Sequence, residues 1–280
     1  MKKIAKLAMI GVGNMSGAVL TQLLESPAAP DEPVRVTTRS EASAARYEHN
    51  SRVRAQALET NPAANREACR DASVVLLGVK PQQLPDLLAE LSDTIAPGTV
   101  VISVAAGVET RAIESRLAGG VRVVRAMPNT PATVGLGVTG IAGGASADAE
   151  ALEITRTLFA AVGEVVEVPE SQIPAIGAIS GSGPGHVFLL VEQMIDAAMH
   201  YGFDRETATR MVVQTFEGSI ALLRNEPETE VATHRRRVMS PKGTTEQSIA
   251  VLQDANLTEL FAAAFAANVR RSDELAEQLR

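Results

Sequence analysis

Leu7-Ala8-Met9-Ile10-Gly11-Val12-Gly13-Asn14-Met15-Ser16-Gly17-Ala18-Val19-Leu20-Thr21-Gln22-Leu23-Leu24 reads as a short apolar strand, a glycine turn and an amphipathic helix. Gly11 permits the tight turn. Gly13 lets the backbone approach a pyrophosphate, and the helix that follows points free N–H groups and its positive dipole end at that phosphate. The pattern is that of a dinucleotide cradle. Ser16 stands where G-x-G-x-x-G has its third glycine, and Gly17 comes one residue late. Serine is small enough for close helix-to-strand packing, so the cradle survives the change. An ordinary βα turn shares the same local features, so the stretch decides the fold before it decides the ligand.

Outward from this unit, short β-branched runs alternate with helical stretches as far as residue 168, which predicts a parallel sheet covered on both faces. Strands are expected over Ala5–Ile10, Val34–Thr38, Val53–Ala57, Val74–Val79, Val100–Val104, Val121–Arg125, Val138–Ala142 and Val165–Val168. Helices are expected near Met15–Leu24, Asn65–Cys69, Leu84–Leu91, Thr110–Leu117 and Ala147–Ala161. After Pro169 the strand signals stop. Ala175–Tyr201, Arg205–Asn225, Thr229–Arg237, Thr245–Gln253 and Thr258–Leu279 read as helices. The expected architecture is α/β: an N-terminal Rossmann-type doubly wound sheet over 1–168, then an all-helical domain over 169–280. The first long helix of that domain carries apolar groups on nearly every face, from Val187, Phe188, Leu189 and Leu190 to Met194, Ile195 and Met199. Such a helix needs cover on all sides. A small helical domain has little to offer, so a partner subunit is expected to supply it.

Composition narrows the function classes. In 280 residues, hydrophobic content is 45% and charged content 21%, as in a globular chain. There is no Trp and there are only 2 Tyr, too few for stacking single-stranded bases. A net charge of -7 presents no basic face, so neither nucleic acid nor an anionic membrane is an expected partner. The single cysteine, Cys69, forms no internal disulfide and suits a reducing compartment. Lys2, Lys3 and Lys6 before an apolar run imitate a signal peptide, but Gly11 and Gly13 interrupt the run. No stretch has the ~20 uninterrupted apolar residues of a bilayer span. A cytoplasmic location is expected.

Ligands of α/β sheets bind beyond the carboxyl ends of the strands. After the second strand come Thr38, Arg39 and Ser40, a guanidinium and two hydroxyls where an NAD site has a carboxylate; this favours the 2′-phosphate of NADPH, with NADH possible. Val79-Lys80-Pro81-Gln82 and Ala105-Ala106-Gly107 end the next two strands, and their small residues leave room for a nicotinamide ribose. Arg125-Ala126-Met127-Pro128-Asn129-Thr130-Pro131 forms a proline-braced turn able to hold a carbonyl or the Asn129 amide against the ring, although turn chemistry alone explains each stretch. In the helical half, Ser240-Pro241-Lys242-Gly243-Thr244-Thr245 opens a helix with free N–H groups and the hydroxyls of Ser240 and Thr244. It is either a small-carboxylate site or a helix cap. His49, His186, His200 and His234 show no metal spacing, and no metal is expected. His186 sits in the glycine-rich helix start. Lys242 lies in a loop, leaving no helix-borne lysine to act as a general acid. The run His234–Arg237 reads as a solvated face or as an electrostatic aid to the Ser240 loop.

Together, Gly11-Val12-Gly13-Asn14-Met15, Val79-Lys80-Pro81-Gln82, Arg125 to Pro131, Ser180-Gly181-Ser182-Gly183-Pro184 and Ser240 to Thr245 resemble, in order, the motifs of the pyrroline-5-carboxylate reductases. The resemblance covers nearly the whole chain. It implies NAD(P)H-dependent reduction of the cyclic imine 1-pyrroline-5-carboxylate to L-proline, the last step of proline synthesis. It also implies a helical domain interlocked with a second subunit, giving a homodimer or a higher homo-oligomer. Carried onto this chain, Ser240 and the amides of Gly243 and Thr244 would hold the carboxylate, the Thr245 hydroxyl would lie near the ring nitrogen, and Asn65 would touch the adenosine ribose. Two positions depart: Pro184-Gly185-His186 stands where the family commonly has Pro-Ala-Tyr, and Lys242 where it commonly has glycine. Lys242 either pairs with the carboxylate or points to solvent. Other readings are a reductase of a different cyclic imine or of a 3-hydroxy acid, and a nucleotide-binding regulator with a degenerate site.

Overall fold

The computed structural model describes residues 4–277. Residues expected at the ends of two features, Lys2 and Lys3 before the first strand and Leu279 at the end of the last helix, lie outside the described residues. Eight strands form one sheet: β1 Leu7–Ile10, β2 Val34–Thr38, β3 Val53–Ala57, β4 Val74–Leu77, β5 Val100–Ser103, β6 Arg122–Met127, β7 Gly137–Gly143 and β8 Gly163–Glu167. Their order is β3-β2-β1-β4-β5-β6-β7-β8. The chain starts in the middle and winds outward to each side, which is the doubly wound pattern expected. One pairing departs from the all-parallel expectation: β7 runs antiparallel to β6, with Arg125 opposite Ala142. The connection Pro128–Leu136 is a short 3-10 turn, too short for the helical crossover that a parallel pair requires.

The helices of this half are α1 Asn14–Glu25, α2 Glu41–Ala44, α3 Ala64–Cys69, α4 Leu84–Leu91, α5 Thr110–Glu114 and α6 Ala149–Ala160. Alternate strand residues sort onto the two faces, as the two-residue period of a strand requires. Leu7, Met9, Val74, Leu76, Val100 and Ile102 pack with Val19, Leu20 and Leu23 of α1 and Leu158 and Phe159 of α6. Ala8, Ile10, Val75, Leu77 and Val101 pack with α3, with Leu84, Leu87, Leu88 and Leu91 of α4 and with Ile113 of α5. Both faces are thereby sealed, and Cys69 lies in the second layer, where burial pushes its thiol up to about 12.

Beyond β8 the chain is helical: α7 Ile173–Ile176, α8 Gly183–Met199, α9 Arg205–Asn225, α10 Val231–Arg237, α11 Thr244–Asp254 and α12 Leu257–Glu277. The single helix expected over Ala175–Tyr201 is interrupted by a π turn, Gly177–Gly181, whose wide hydrogen bond runs from the Ser182 amide to the Gly177 carbonyl at 2.8 Å. Gly177, Gly181 and Gly183 remove the side chains that would resist this widening. The chain forms two compact units, Met1–Ser182 with Ala266–Arg280, and Gly183–Phe265. These compact units divide after Ser182, and the end of α12 belongs to the first. In the second unit, Ile195, Ala208 and Val212 form a small core between α8 and α9. Asp204 caps α9 by accepting the Thr207 amide at 2.7 Å, which holds its carboxyl below the usual range.

Candidate active site

In the first unit the carboxyl ends of β1, β4 and β5 are level, because Ile10 pairs with Leu77 and Leu77 with Ser103. The residues that follow those ends therefore converge. Gly11 turns through φ +73°, and a Cβ there would run into Val79. Its amide donates to the Thr37 hydroxyl at 3.2 Å, tying the turn to β2. Gly13 is the N-cap of α1, no side chain caps that helix and no acid stands in its first turn. A Cβ on Gly13 would meet nothing within 4 Å. Open space beside Gly13 and the uncapped amides of Asn14 and Met15 make a cradle that fits a dinucleotide pyrophosphate.

Ser16 is buried and faces Gly78, the residue after β4, so closely that a Cβ on Gly78 would collide with its hydroxyl. The missing third glycine has thus moved across the contact, from helix to strand end. Gly78 was invisible to motif reading because it lies outside the motif. Val79 packs on the Gly11 turn, and Lys80 opens the 3-10 turn Pro81–Gln83 with its amide on Gln83 Oε1 at 3.3 Å. Ala105 donates its amide to Ser103 Oγ at 3.3 Å, and Gly107 turns through φ +77°.

Arg39 is exposed after β2, and Ser40 N-caps α2 with its hydroxyl on Ser43 Oγ at 3.1 Å. A carboxylate is present here after all. Glu59, beyond β3, accepts the Glu41 amide at 3.0 Å and donates its own amide to the Arg39 carbonyl at 3.3 Å. Asn65 is buried on α3, its Nδ2 on Glu90 Oε2 at 3.2 Å, with its carbonyl oxygen unpartnered. Asn129 is a tie rather than an open amide: its Oδ1 accepts the Val138 amide at 2.8 Å and its Nδ2 donates to the Ser180 carbonyl at 3.0 Å.

A cavity of about 270 Å³ opens within this unit, lined among others by Ala106, Gly107, Arg125, Met127, Ser182 and Arg271. The Arg125 side chain is only 6% exposed, with Nη1 3.6 Å from Glu170. Burial pulls its guanidinium below the ordinary value, and Glu170 counters. Asn268 donates to Ser182 Oγ at 2.7 Å along the same wall. Sequence reading used Arg125 only as part of a turn and gave Glu170 no role.

In the second unit the Ser240 loop joins α10 to α11. The Gly243 amide donates to the Ser240 carbonyl at 2.8 Å, and a Cβ on Gly243 would collide with the Ser240 hydroxyl. Lys242 adopts φ +60°, the left-handed region that glycine favours, and its amide donates to Glu246 Oε2 at 2.6 Å. Its side chain is exposed. The Gly243 amide is thus engaged inside the loop, whereas no side chain caps Thr244 and Thr245 at the start of α11. The basic run of α10 is held by Glu226, which pairs with Arg237 at 2.5 Å and is kept below the usual carboxylate range by that hydrogen bond. His186 stands in an aromatic cluster, 5.7 Å from the Phe265 ring and 6.2 Å from Phe261.

The family model described as pyrroline-5-carboxylate reductase dimerisation matches residues 170–275, and one described as NADP oxidoreductase, coenzyme F420-dependent, matches 6–107. A pyrroline-5-carboxylate reductase of Corynebacterium melassecola is 37% identical over 96% of this chain and 98% of its own length. The chain belongs to the pyrroline-5-carboxylate reductase family. Another member, from Pseudomonas aeruginosa, is also 37% identical, with 98% of each chain covered. The solved pyrroline-5-carboxylate reductase of Coxiella burnetii superposes with a TM-score of 0.89 at 37% identity, covering 98% of this chain and 99% of that one. The Plasmodium falciparum enzyme, solved with NADP bound, shares the fold at a TM-score of 0.82 and 22% identity, with 99% and 100% covered. The family is one of NAD(P)-dependent oxidoreductases, so among the readings left open the imine reductase is favoured.

The dimerisation match takes in both the Ser240 loop and the apolar α8. Within the helical run Glu170–Met199 an 18-residue window reaches a mean hydropathy of 1.2, enough by length and composition alone to cross a membrane. Its π turn breaks the run, and its apolar groups fall within the dimerisation match.

Proposed function

We propose that this chain reduces 1-pyrroline-5-carboxylate to L-proline with a nicotinamide dinucleotide, as the final step of proline synthesis in the cytoplasm. The observation that carries the reading is the likeness to curated pyrroline-5-carboxylate reductases at 37% identity over nearly the full length of both chains. In this reading Gly11, Gly13, Asn14 and Met15 hold the pyrophosphate. Val79, Lys80 and Pro81 line the cofactor's path, and Ala105, Ala106 and Gly107 receive the nicotinamide ribose. Asn65 touches the adenosine ribose, and Asn129 shapes the facing turn through its two ties. When bound, the dinucleotide supplies a hydride to the imine carbon.

The protein's own work is positional. A protonated imine is already electrophilic, so orientation and exclusion of water carry most of the rate. Ser240 Oγ and the uncapped Thr244 amide at the start of α11 hold the substrate carboxylate, aided by the helix dipole. The Gly243 amide joins them only by giving up its bond to the Ser240 carbonyl. Thr245 sets the ring nitrogen through its hydroxyl. Lys242 presents its side chain to solvent at the rim.

NADPH is the proposed cofactor, because the exposed Arg39 guanidinium is suited to a 2′-phosphate. NADH is the second reading, favoured by the Glu59 carboxylate beside the same turn. The assembly is a homodimer or larger, built through α8, where Phe188 is 68% exposed in the single chain. The partner in catalysis is a small molecule; at a net charge of -7, nucleic acid and anionic membranes are not partners. The test is direct. Purified protein given 1-pyrroline-5-carboxylate should oxidise NADPH faster than NADH and yield proline. Folded protein that binds the dinucleotide but oxidises none would overturn the assignment.

A further inference from the structure

Glu170 opens the 3-10 turn Glu170–Gln172 just beyond β8. Its carboxylate reaches back 60 residues to the start of α5, where one oxygen accepts the Thr110 amide at 2.7 Å. The other accepts the Thr110 hydroxyl at 2.7 Å, and Arg125 Nη1 stands 3.6 Å away. Glu170 thus supplies from a distance what an N-cap side chain supplies locally. Glu109 holds the N-cap position without capping, its carboxylate 2.6 Å from Arg111 Nε. At five residues, α5 is too short to hold its own first turn.

What this clamp holds is the connection between β5 and α5. Ser103 Oγ ties its near end at Ala105, Gly107 turns in its middle, and Thr110 is fixed at its far end. Ala106 and Gly107 line the same cavity as Arg125. Removing the carboxylate would leave the buried Arg125 cation without its Glu170 ion pair and with only the charge of Glu109 to favour it, an arrangement proteins relieve by moving.

We propose that Glu170 is a positioning residue for the reduction: through Thr110 and Arg125 it fixes the Ala105–Gly107 backbone against which the nicotinamide end of the dinucleotide rests. This rests on the reading of the first unit as the dinucleotide-binding half. Glu170→Gln keeps the size of the side chain and an acceptor for Thr110 but removes the charge opposite Arg125. In the full-length protein, NADPH fluorescence titration should show an affinity about tenfold weaker, and kcat should fall about tenfold, with KM for the imine within about twofold. A merely structural role would lower the melting temperature and leave these constants unchanged in the folded protein. Thr110→Val deletes one of the two bonds to Glu170 while keeping the shape. It should give the same pattern at smaller size, and it decides the matter if Glu170→Gln does not fold. A folded variant with NADPH affinity and kcat within about twofold of wild type overturns the proposal, as does a loss confined to the imine KM. Should the wild type bind NADPH and reduce no imine, the functional reading fails, while the affinity comparison still decides the role of Glu170.

Discussion

The sheet and α8 are built from the same kinds of side chain and end in opposite surroundings. Every residue of β1, β4 and β5 is buried, between α1 and α6 on one face and α3, α4 and α5 on the other. Along α8 only Ile195 is buried, while Val187, Phe188, Leu189, Leu190 and Met194 lie open. Hydrophobic burial is roughly proportional to area, so the first unit closes its own ledger and the second does not. The difference separates a half that closes its own core from a half whose apolar helix lies open within the dimerisation match.

The largest break in that comparison comes from placing a charge in each apolar layer. Ile102→Glu, in the fully enclosed sheet, should abolish folding of the first unit. Phe188→Glu should instead leave a folded chain and separate the subunits, since an unpaired charge at an interface centre costs about 3–5 kcal/mol, or about two to four decades in affinity. Sedimentation velocity reads this directly; a Phe188→Glu protein that sediments like the wild type would mean that α8 is not the covered face. The two halves should also separate in kinetics. Thr245→Ala should lower turnover by about ten- to a hundredfold, about 1–3 kcal/mol for a lost oriented hydrogen bond, and leave NADPH affinity alone because Thr245 belongs to the second unit. Unchanged turnover would remove Thr245 from the mechanism.

Arg39→Ala probes the first unit. It should weaken NADPH by about tenfold or more relative to NADH, as expected for a charge-assisted contact to phosphate worth about 1.5–3 kcal/mol. Equal loss of both cofactors would move the 2′ recognition to Glu59. This prediction also marks where the sequence stops being legible. The cradle could be read because the apolar strand, Gly11, Gly13 and the helix are contiguous, and α8 because apolar groups on every face are a local signal. The antiparallel turn into β7 depends on a connection too short for a crossover, which the strand pattern does not display. Glu59 beside Arg39 and Glu170 on Thr110 are pairings across the fold, set by which strand ends lie together. Asn129 reads in the sequence as a polar residue in a turn; its bonds to Val138 and Ser180 exist only once β7 and the π turn are in place.

The smallest effect tests the self-sufficiency of the first unit at its tightest point, where Ser16 of α1 meets Gly78 after β4. Gly78→Ala would add a methyl group into the Ser16 hydroxyl, and overpacking of this kind costs about 1–3 kcal/mol. Urea unfolding should show that loss. Ser16→Gly alone should cost about 1 kcal/mol, as glycine does within a helix. Joined in one chain, however, the two changes should recover part of the Gly78→Ala loss, because the glycine has then moved back to the helix side, where the third glycine of the motif ordinarily stands. Simple additivity of the two losses would mean that helix and strand are not in the contact described, and that Ser16 is a neutral departure rather than half of an exchanged pair.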